Sequence, residues 1–165
     1  MELYDLVTVV IAVFSAILAV VALAFEVRRS RIALQADLLL RLDERFFGSD
    51  MLRTRRAAAK KLLAKERPNY ELGDILGFFA TVAMLLERKA IDTDLTYDVF
   101  EYWIVRYWNS AKEHVAGERK YDPESYLSLE RLVDRLVPLR TKSNQPPLTD
   151  EECTRFLREE ARSDR

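Results

Sequence analysis

The sequence predicts an all-α protein in which a single N-terminal transmembrane helix continues into a bundle of five to six helices. Three observations support this fold class. A run of twenty residues, Leu6 to Phe25, contains no charged residue, proline or glycine. Only four glycines and five prolines occur in 165 residues. In the segments between them, apolar residues recur every three to four positions. No segment shows the alternation that is typical of a half-buried strand.

Composition limits the classes of protein to which this chain can belong. About 140 residues follow the apolar run, which is the size of one ordinary domain with its own core. The net charge of −1 and the pI near 6.0 disfavour a nucleic-acid-binding protein, since such proteins present a basic field to phosphates. The single cysteine, Cys153, cannot form an internal disulfide, which favours a reducing compartment. No spacing of histidines and cysteines indicates a zinc site, and no cofactor is predicted.

The apolar run is long enough to cross a bilayer, because twenty helical residues at about 1.5 Å each span its ~30 Å hydrocarbon core. Glu2 and Asp5 precede the run. Three arginines follow it closely: Arg28, Arg29 and Arg31. Because basic residues are retained on the cytoplasmic side, the sequence predicts a single-pass protein of the inner cell membrane. Residues 1–5 are expected outside, and the domain after the span in the cytoplasm.

Two other interpretations of this run are weaker. Ala22-Leu23-Ala24 has the pattern of a signal-peptide cleavage site, but signal peptides begin with basic residues and have a shorter apolar core. A buried core helix would need a polar face toward solvent, and this run has none.

The rest of the chain is predicted to be helical. The first helix is expected to continue through residues 26–47 as far as Gly48. Four further helices are predicted over residues 50–66, 70–88, 92–115 and 123–137. Pro138 is expected to end the last of these. Thr149 and Glu152 form a capping-box pattern for a short polar helix to residue 161, whose many charges predict a loosely docked end. Residues 26–137 are therefore assigned to a cytoplasmic helical domain, and residues 138–165 to a loop and this C-terminal helix.

Two helices have the apolar stripes that are expected of a core. The stripe in residues 70–88 consists of Leu72, Ile75, Leu76, Phe79, Val82, Ala83 and Leu86. The stripe in residues 92–115 consists of Tyr97, Phe100, Ile104, Trp108, Ala111 and Val115. Tyr102 and Val105 fall on the opposite side of that helix and are expected to face outward, where two interpretations stay open: contact with the side of a neighbouring helix, and a small patch for a protein partner.

Apolar and aromatic features also relate the segment from Leu38 to Lys120 to a known family. They are Phe78-Phe79, the turn from Glu87-Arg88 into Ile91-Asp92, and the cluster of Phe100, Trp103, Tyr107 and Trp108. In these features the chain resembles an uncharacterised bacterial family that is known only as a domain of unknown function. The resemblance implies one N-terminal span before a small helical domain, and it implies no catalytic residue.

No catalytic or metal-binding residue is predicted from motifs. Asp92-Thr93-Asp94-Leu95-Thr96 matches the D-x-D-x-T motif of haloacid-dehalogenase-type phosphatases, but that motif ends a parallel strand, whereas here it begins a helix. Asp92 is therefore interpreted as a helix cap. His114, the only histidine, has no nucleophile or second metal ligand at a useful spacing, which favours a position on the helix surface. The alternative is an enzyme whose site is assembled across helices, with a metal on the acidic face of Asp94, Asp98 and Glu101.

The second helix has a local excess of basic residues. Those that could contact lipid or an anionic partner are Arg53, Arg56, Lys60, Lys61, Lys65 and Arg67. Three interpretations stay open: a solvated surface, contact with anionic lipid headgroups, and binding of a nucleic acid or protein partner. An antiparallel second helix would return toward the membrane, which favours lipid over nucleic acid.

Small residues form a stripe along the apolar run. They are Thr8, Ala12, Ser15, Ala19 and Ala22, at spacings of four, three, four and three. Such a stripe lets two helices approach closely, which predicts a homo-oligomer through the transmembrane helix. The sequence as a whole predicts a membrane-tethered helical interaction or regulatory module, whose protein partner it does not identify.

Overall fold

The computed structural model describes residues 2–66 and 70–162; within the first helix it describes the side chains of Thr8 and of all residues from Val13 onward. This part of the chain forms seven α-helices and contains no strand. The helices are α1 Glu2–Phe47, α2 Ser49–Leu63, α3 Tyr70–Glu87, α4 Thr93–Ser110, α5 Lys112–Glu118, α6 Leu127–Lys142 and α7 Asp150–Arg162. The all-α prediction is confirmed, and so is the unbroken first helix up to Gly48.

The chain divides into two compact units, Met1–Leu38 and Leu39–Arg165. In the first unit, α1 exposes many large apolar side chains. Those that are at least half exposed are Val13, Phe14, Ile17, Leu18, Val20, Leu23, Phe25, Ile32 and Leu34. Ile32 is 65% exposed, whereas Leu39 and Phe46, later in the same helix, are buried.

The predicted membrane span requires a correction. Among the residues that the structure describes, no helix is both long enough and apolar enough to cross a membrane. The prediction of a single-pass inner-membrane protein, with its transmembrane helix over 6–25, is therefore wrong; the side chains of residues 6–7 and 9–12 lie outside the described residues.

The second unit is built around α3 and an aromatic cluster at the end of α1. All seven residues of the predicted α3 stripe are buried. Phe46 is fully buried, and five rings lie within 6 Å of its centroid. These rings belong to Phe47, Phe78, Phe79, Phe100 and Trp103. Apolar burial and edge-on ring contacts together make this cluster the centre of the domain.

Three helices end in the same left-handed motif without glycine. Lys65 after α2, Lys89 after α3 and Asn144 after α6 have φ between 53° and 57°. In each case the next amide reaches back five residues, as from Ala90 N to the Leu85 carbonyl at 2.9 Å. Glu66 and Gln145 make the equivalent bonds at 3.0 and 3.1 Å. The bonds satisfy carbonyls that a helix end leaves unpaired, and this outweighs the steric cost of a left-handed side chain.

The fourth and fifth predicted helices differ most from the structure in their boundaries. The fourth predicted helix is divided at Ala111 into α4 and α5. The fifth begins at Leu127 instead of residue 123, because Asp122 caps a turn through its bonds to Glu124 N and Ser125 Oγ. It also passes through Pro138, which lies on the exposed face of α6. Proline there removes one backbone hydrogen bond at a place where water can replace it.

The last helix, α7, packs closely against α2 and also contacts α4. Thr149 and Glu152 form the predicted capping box: Glu152 N donates to Thr149 Oγ1 at 3.2 Å and Thr149 N donates to Glu152 Oε2 at 2.9 Å. Cys153, Phe156, Leu157 and Glu160 are buried. The expectation of a loosely docked end, based on charge content, is therefore wrong, because most of the charged side chains lie on the exposed side of the helix and Glu160 is paired with Arg55 inside.

Candidate functional site

A buried ion pair joins α2 to α7. The Arg55 guanidinium donates from Nε to Glu160 Oε2 at 2.7 Å and from Nη2 to Glu160 Oε1 at 2.6 Å. The Tyr107 hydroxyl, on α4, donates to the same Oε2 at 2.7 Å. Nη1 of Arg55 donates to the Phe46 carbonyl at 3.3 Å. Arg55, Tyr107 and Glu160, named here the Arg55 cluster, therefore hold three helices together.

The local sequence explains why these charged groups lie inside. Arg55 is on the face of α2 that buries Ala58 and Ala59, whose small side chains let α7 approach closely. Glu160 lies one turn beyond Phe156 and Leu157, so the carboxylate follows two apolar side chains into the interior. A bidentate arginine–carboxylate pair is the geometry in which buried charges are best satisfied.

Aromatic rings surround the guanidinium. Its Cζ lies 4.2 Å from the centroid of Phe46, 5.5 Å from that of Phe47 and 5.8 Å from that of Trp103. Burial disfavours the positive charge, but the hydrogen bonds and negative charge of Glu160 outweigh it, and the pKa of Arg55 is raised above its usual value. Arg55 is therefore cationic at every physiological pH.

Tyr107 acts as a permanent donor. Burial, reinforced by the charge of Glu160, raises the pKa of its hydroxyl well above the usual 10.0. Both oxygens of Glu160 accept hydrogen bonds, and all three side chains of the Arg55 cluster are buried. The cluster leaves no open face for a substrate, so its geometry suits the docking of a helix.

A second buried pair lies between α4 and α6. Arg140 Nη1 donates to Glu101 Oε1 at 2.7 Å, and its Nε donates to the carbonyl of Pro146 at 3.1 Å. Both charged side chains are 7% exposed. Arg140 therefore holds the segment between α6 and α7 against α4.

This pair separates the residues of the acidic face that was considered for a metal. Glu101 points into the interior toward Arg140, whereas Asp94 and Asp98 are exposed. Among the described residues, no group of three or more potential ligands could hold a metal ion. The helical period placed Glu101 near Asp94 and Asp98 but could not show that an arginine 39 residues away binds it.

Asp92 and His114 are the other two residues that the sequence analysis considered for a catalytic role. Asp92 caps α4, since its Oδ1 accepts from Asp94 N at 2.8 Å and Leu95 N at 3.3 Å, as predicted. His114 is half-buried beside a surface cavity of ≈ 430 Å³. Its Nε2 has no hydrogen-bond partner in the part of the chain that is described.

Comparison with known protein families shows to which family the chain belongs. A family model described as a domain of unknown function, DUF4760, matches residues 9–136. The chain belongs to the DUF4760 family. The resemblance to a family of unknown function is thereby confirmed. No curated protein and no solved structure matches the chain significantly. Arg55 and Tyr107 lie inside the matched DUF4760 segment, and Glu160 lies outside it.

The basic face of α2 in this DUF4760 domain is less continuous than predicted. Arg53 forms an ion pair with Asp50, and Lys61 Nζ donates to both oxygens of Glu71 at 2.8 and 2.9 Å. The pair with Lys61 lowers the pKa of Glu71. Lys60 and Lys65 are exposed, Arg56 is half-buried, and Arg67 lies outside the described residues. Binding of anionic lipid or of an anionic partner by this face stays a prediction.

The small-residue stripe is only partly described. Thr8, Ser15, Ala19 and Ala22 are exposed on α1, and the side chain of Ala12 lies outside the described residues. Of the two residues proposed to form an outward patch on α4, Val105 is buried, and Tyr102 contacts the Phe156 ring at 5.7 Å. The chain's own last helix therefore contacts Tyr102, although 39% of this residue stays exposed.

The Arg55 cluster was missed by sequence reasoning, although a signal was present. Arg55 precedes Ala58 and Ala59 by three and four residues, and Glu160 follows Phe156 and Leu157 by four and three. Each charged residue therefore lies on a helix face that also carries apolar residues. A charge at such a position indicates a buried partner of opposite sign. Each residue could have been predicted to be buried for that reason, although its partner could not have been identified.

Alkaline unfolding is expected to report the buried Tyr107 hydroxyl. Because its pKa is raised in the folded state, the unfolded chain loses this proton first, and stability falls as pH rises past about 10. Tyr107→Phe should show a smaller loss of unfolding free energy between about pH 8 and about pH 11 in urea titrations. Tyr121→Phe, at a residue that is 90% exposed, should keep the wild-type slope. Equal slopes in all three proteins would contradict the prediction.

Proposed function

We propose that this DUF4760 chain is a helical interaction module that associates with a second copy of itself through residues 13–34 of α1. The exposure of that segment supports the proposal. Large apolar side chains along it are at least half exposed, among them Leu18 at 54% and Leu23 at 62%. Scattered exposed apolar residues are ordinary in proteins, but a contiguous surface of this kind marks an interaction site.

The shape of the segment favours a second copy as the partner. Ser15, Ala19 and Ala22 recur at spacings of four and three, so they lie within a narrow arc of the helix. Larger side chains, such as Leu18 and Leu23, flank this arc. Two copies related by a two-fold axis can place these arcs together, with helix axes near the short end of the 8–10 Å packing range.

Cysteine cross-linking in the full-length chain tests the proposal. The native cysteine is first removed by Cys153→Ala, and Ala19→Cys or Ile17→Cys is then introduced. These positions point to opposite sides of α1, since two residues correspond to about 200° of rotation. Mild oxidation should link Ala19→Cys chains into dimers several-fold more completely than Ile17→Cys chains, because a disulfide requires Cα atoms within about 7 Å. Non-reducing gel electrophoresis measures the dimer fraction.

Two results would contradict self-association through this face. One is equal cross-linking at both positions, which indicates random collision. The other is an unchanged dimer fraction at Ala22→Cys when Ala19→Ile fills the arc. Val13→Ile, on the far side of the helix, is the matched substitution and should leave cross-linking at Ala22→Cys intact.

A further inference from the structure

We infer that the face of α2 and α4 beneath α7 is a helix-binding groove, and that it also binds an acidic amphipathic helix of a partner protein. In the structure, α7 fills this groove from within the same chain. The partner helix would present a carboxylate to Arg55 and Tyr107, and it would displace α7.

The contacts of α7 are those of a helix bound in a groove. Its four buried side chains are spaced i, i+3, i+4 and i+7: Cys153, Phe156, Leu157 and Glu160. Amphipathic helices fill hydrophobic grooves with this spacing. The Phe156 ring lies edge-on between Tyr102 and Tyr107, at centroid distances of 5.7 and 5.0 Å. Arg155, Arg158 and Glu159, on the opposite face, are exposed.

The groove and its occupant belong to different parts of the chain. Both α2 and α4 lie within residues 9–136, which match the DUF4760 domain, whereas α7 lies beyond them. Residues 143–149, which contain no helix and include Pro146 and Pro147, connect α7 to α6. The family domain therefore supplies the groove, and a separately connected helix fills it.

Arg55 determines the chemistry of any other occupant. Its guanidinium is enclosed by the rings of Phe46, Phe47 and Trp103, and Glu160 is its charged partner. Without α7, the Arg55 guanidinium would lose the carboxylate that accepts two of its hydrogen bonds. We therefore expect α7 to be exchanged for another helix that carries a carboxylate, and the groove not to open without one.

A peptide with the sequence of residues 149–162 serves as the probe, with Cys153→Ala to avoid disulfides. It is titrated into two full-length chains, wild type and Glu160→Gln, and binding is followed by fluorescence anisotropy. The Glu160→Gln chain has a weakened internal helix, so the peptide should bind it at least about tenfold more tightly than wild type. A peptide with Glu160→Gln should bind at least about tenfold more weakly than the unmodified peptide.

The neighbouring carboxylate provides the matched control. A peptide with Glu159→Gln has the same net charge as the Glu160→Gln peptide, but Glu159 is exposed. It should bind as the unmodified peptide does. Equal binding of the two glutamine peptides would overturn the inference, since general charge attraction would then explain binding. Failure of every peptide to bind a folded Glu160→Gln chain would also overturn it.

A second measurement uses the unmodified full-length chain, in case the Glu160→Gln chain does not fold. Cys153 is 8% exposed, so its rate of alkylation reports the departure of α7. Peptide at millimolar concentration, which is needed to compete with a tethered helix, should raise this rate several-fold. The Glu159→Gln peptide should act in the same way and the Glu160→Gln peptide should not. An alkylation rate that none of the three peptides changes would overturn the inference.

Discussion

Replacement of Arg55 by alanine is expected to lower the free energy of unfolding by about 3–5 kcal/mol, because it leaves the Glu160 carboxylate buried without its cationic partner. The bonds of 2.7 and 2.6 Å from the guanidinium are lost, and within the Arg55 cluster only the Tyr107 hydroxyl still donates to Glu160. Urea titration of the full-length protein, followed by helical circular dichroism, measures the difference.

A neighbouring arginine on α2 distinguishes the loss of this pair from a general loss of charge. Arg53 also forms an ion pair, with Asp50, but its side chain is 76% exposed. Arg53→Ala should therefore lower the free energy of unfolding by about 1 kcal/mol or less. The double variant Arg55→Met with Glu160→Leu should recover part of the stability, since it removes both charges. An Arg55→Ala protein as stable as the Arg53→Ala protein would contradict the assignment.

Phe46→Ala is expected to lower the free energy of unfolding by about 3–5 kcal/mol, because the ring is fully buried and its loss leaves a cavity. Phe46 lies at the centre of the aromatic cluster, and its ring also faces the Arg55 guanidinium at 4.2 Å. Alanine therefore removes apolar burial, ring contacts and a cation–π contact at once. Thermal and urea unfolding of the full-length chain provide the measurement.

Phe47 is the natural comparison, since it is the next residue and is 45% exposed. Its ring contacts Phe46 and Trp103 at 5.2 and 5.1 Å, but much of it faces solvent. Phe47→Ala should lower the free energy of unfolding by about 1 kcal/mol, which is the ordinary effect of a substitution outside a packed core. If both substitutions had the same small effect, the aromatic cluster would not be the centre of the domain.

Features that depend on a few neighbouring residues could be predicted from the sequence. The α3 stripe from Leu72 to Leu86 is buried as its period predicts. Asp92 and Thr149 cap their helices with atoms no more than three residues away. Such features need no partner from elsewhere in the chain, because helical period and capping are set within about one turn.

Other features were decided only by tertiary structure. Arg55 and Glu160 are 105 residues apart, so no local pattern identifies them as a pair. The same holds for Glu101, which the sequence placed on an outer acidic face and Arg140 draws inward. The charge content of α7 suggested loose docking, but its tight packing depends on a groove formed by α2 and α4.

The sequence by itself determined that the chain is helical, where most helices lie, and which stripes form the core. The tertiary structure decided which charges are buried together, because a buried ion is stable only beside its counter-ion. It also decided that α6 continues through Pro138 and that Lys65, Lys89 and Asn144 adopt left-handed backbone. Burial of Leu132, Leu136 and Arg140 on either side of Pro138 keeps α6 helical there, and the hydrogen bonds that close each helix offset the steric cost of the left-handed residues.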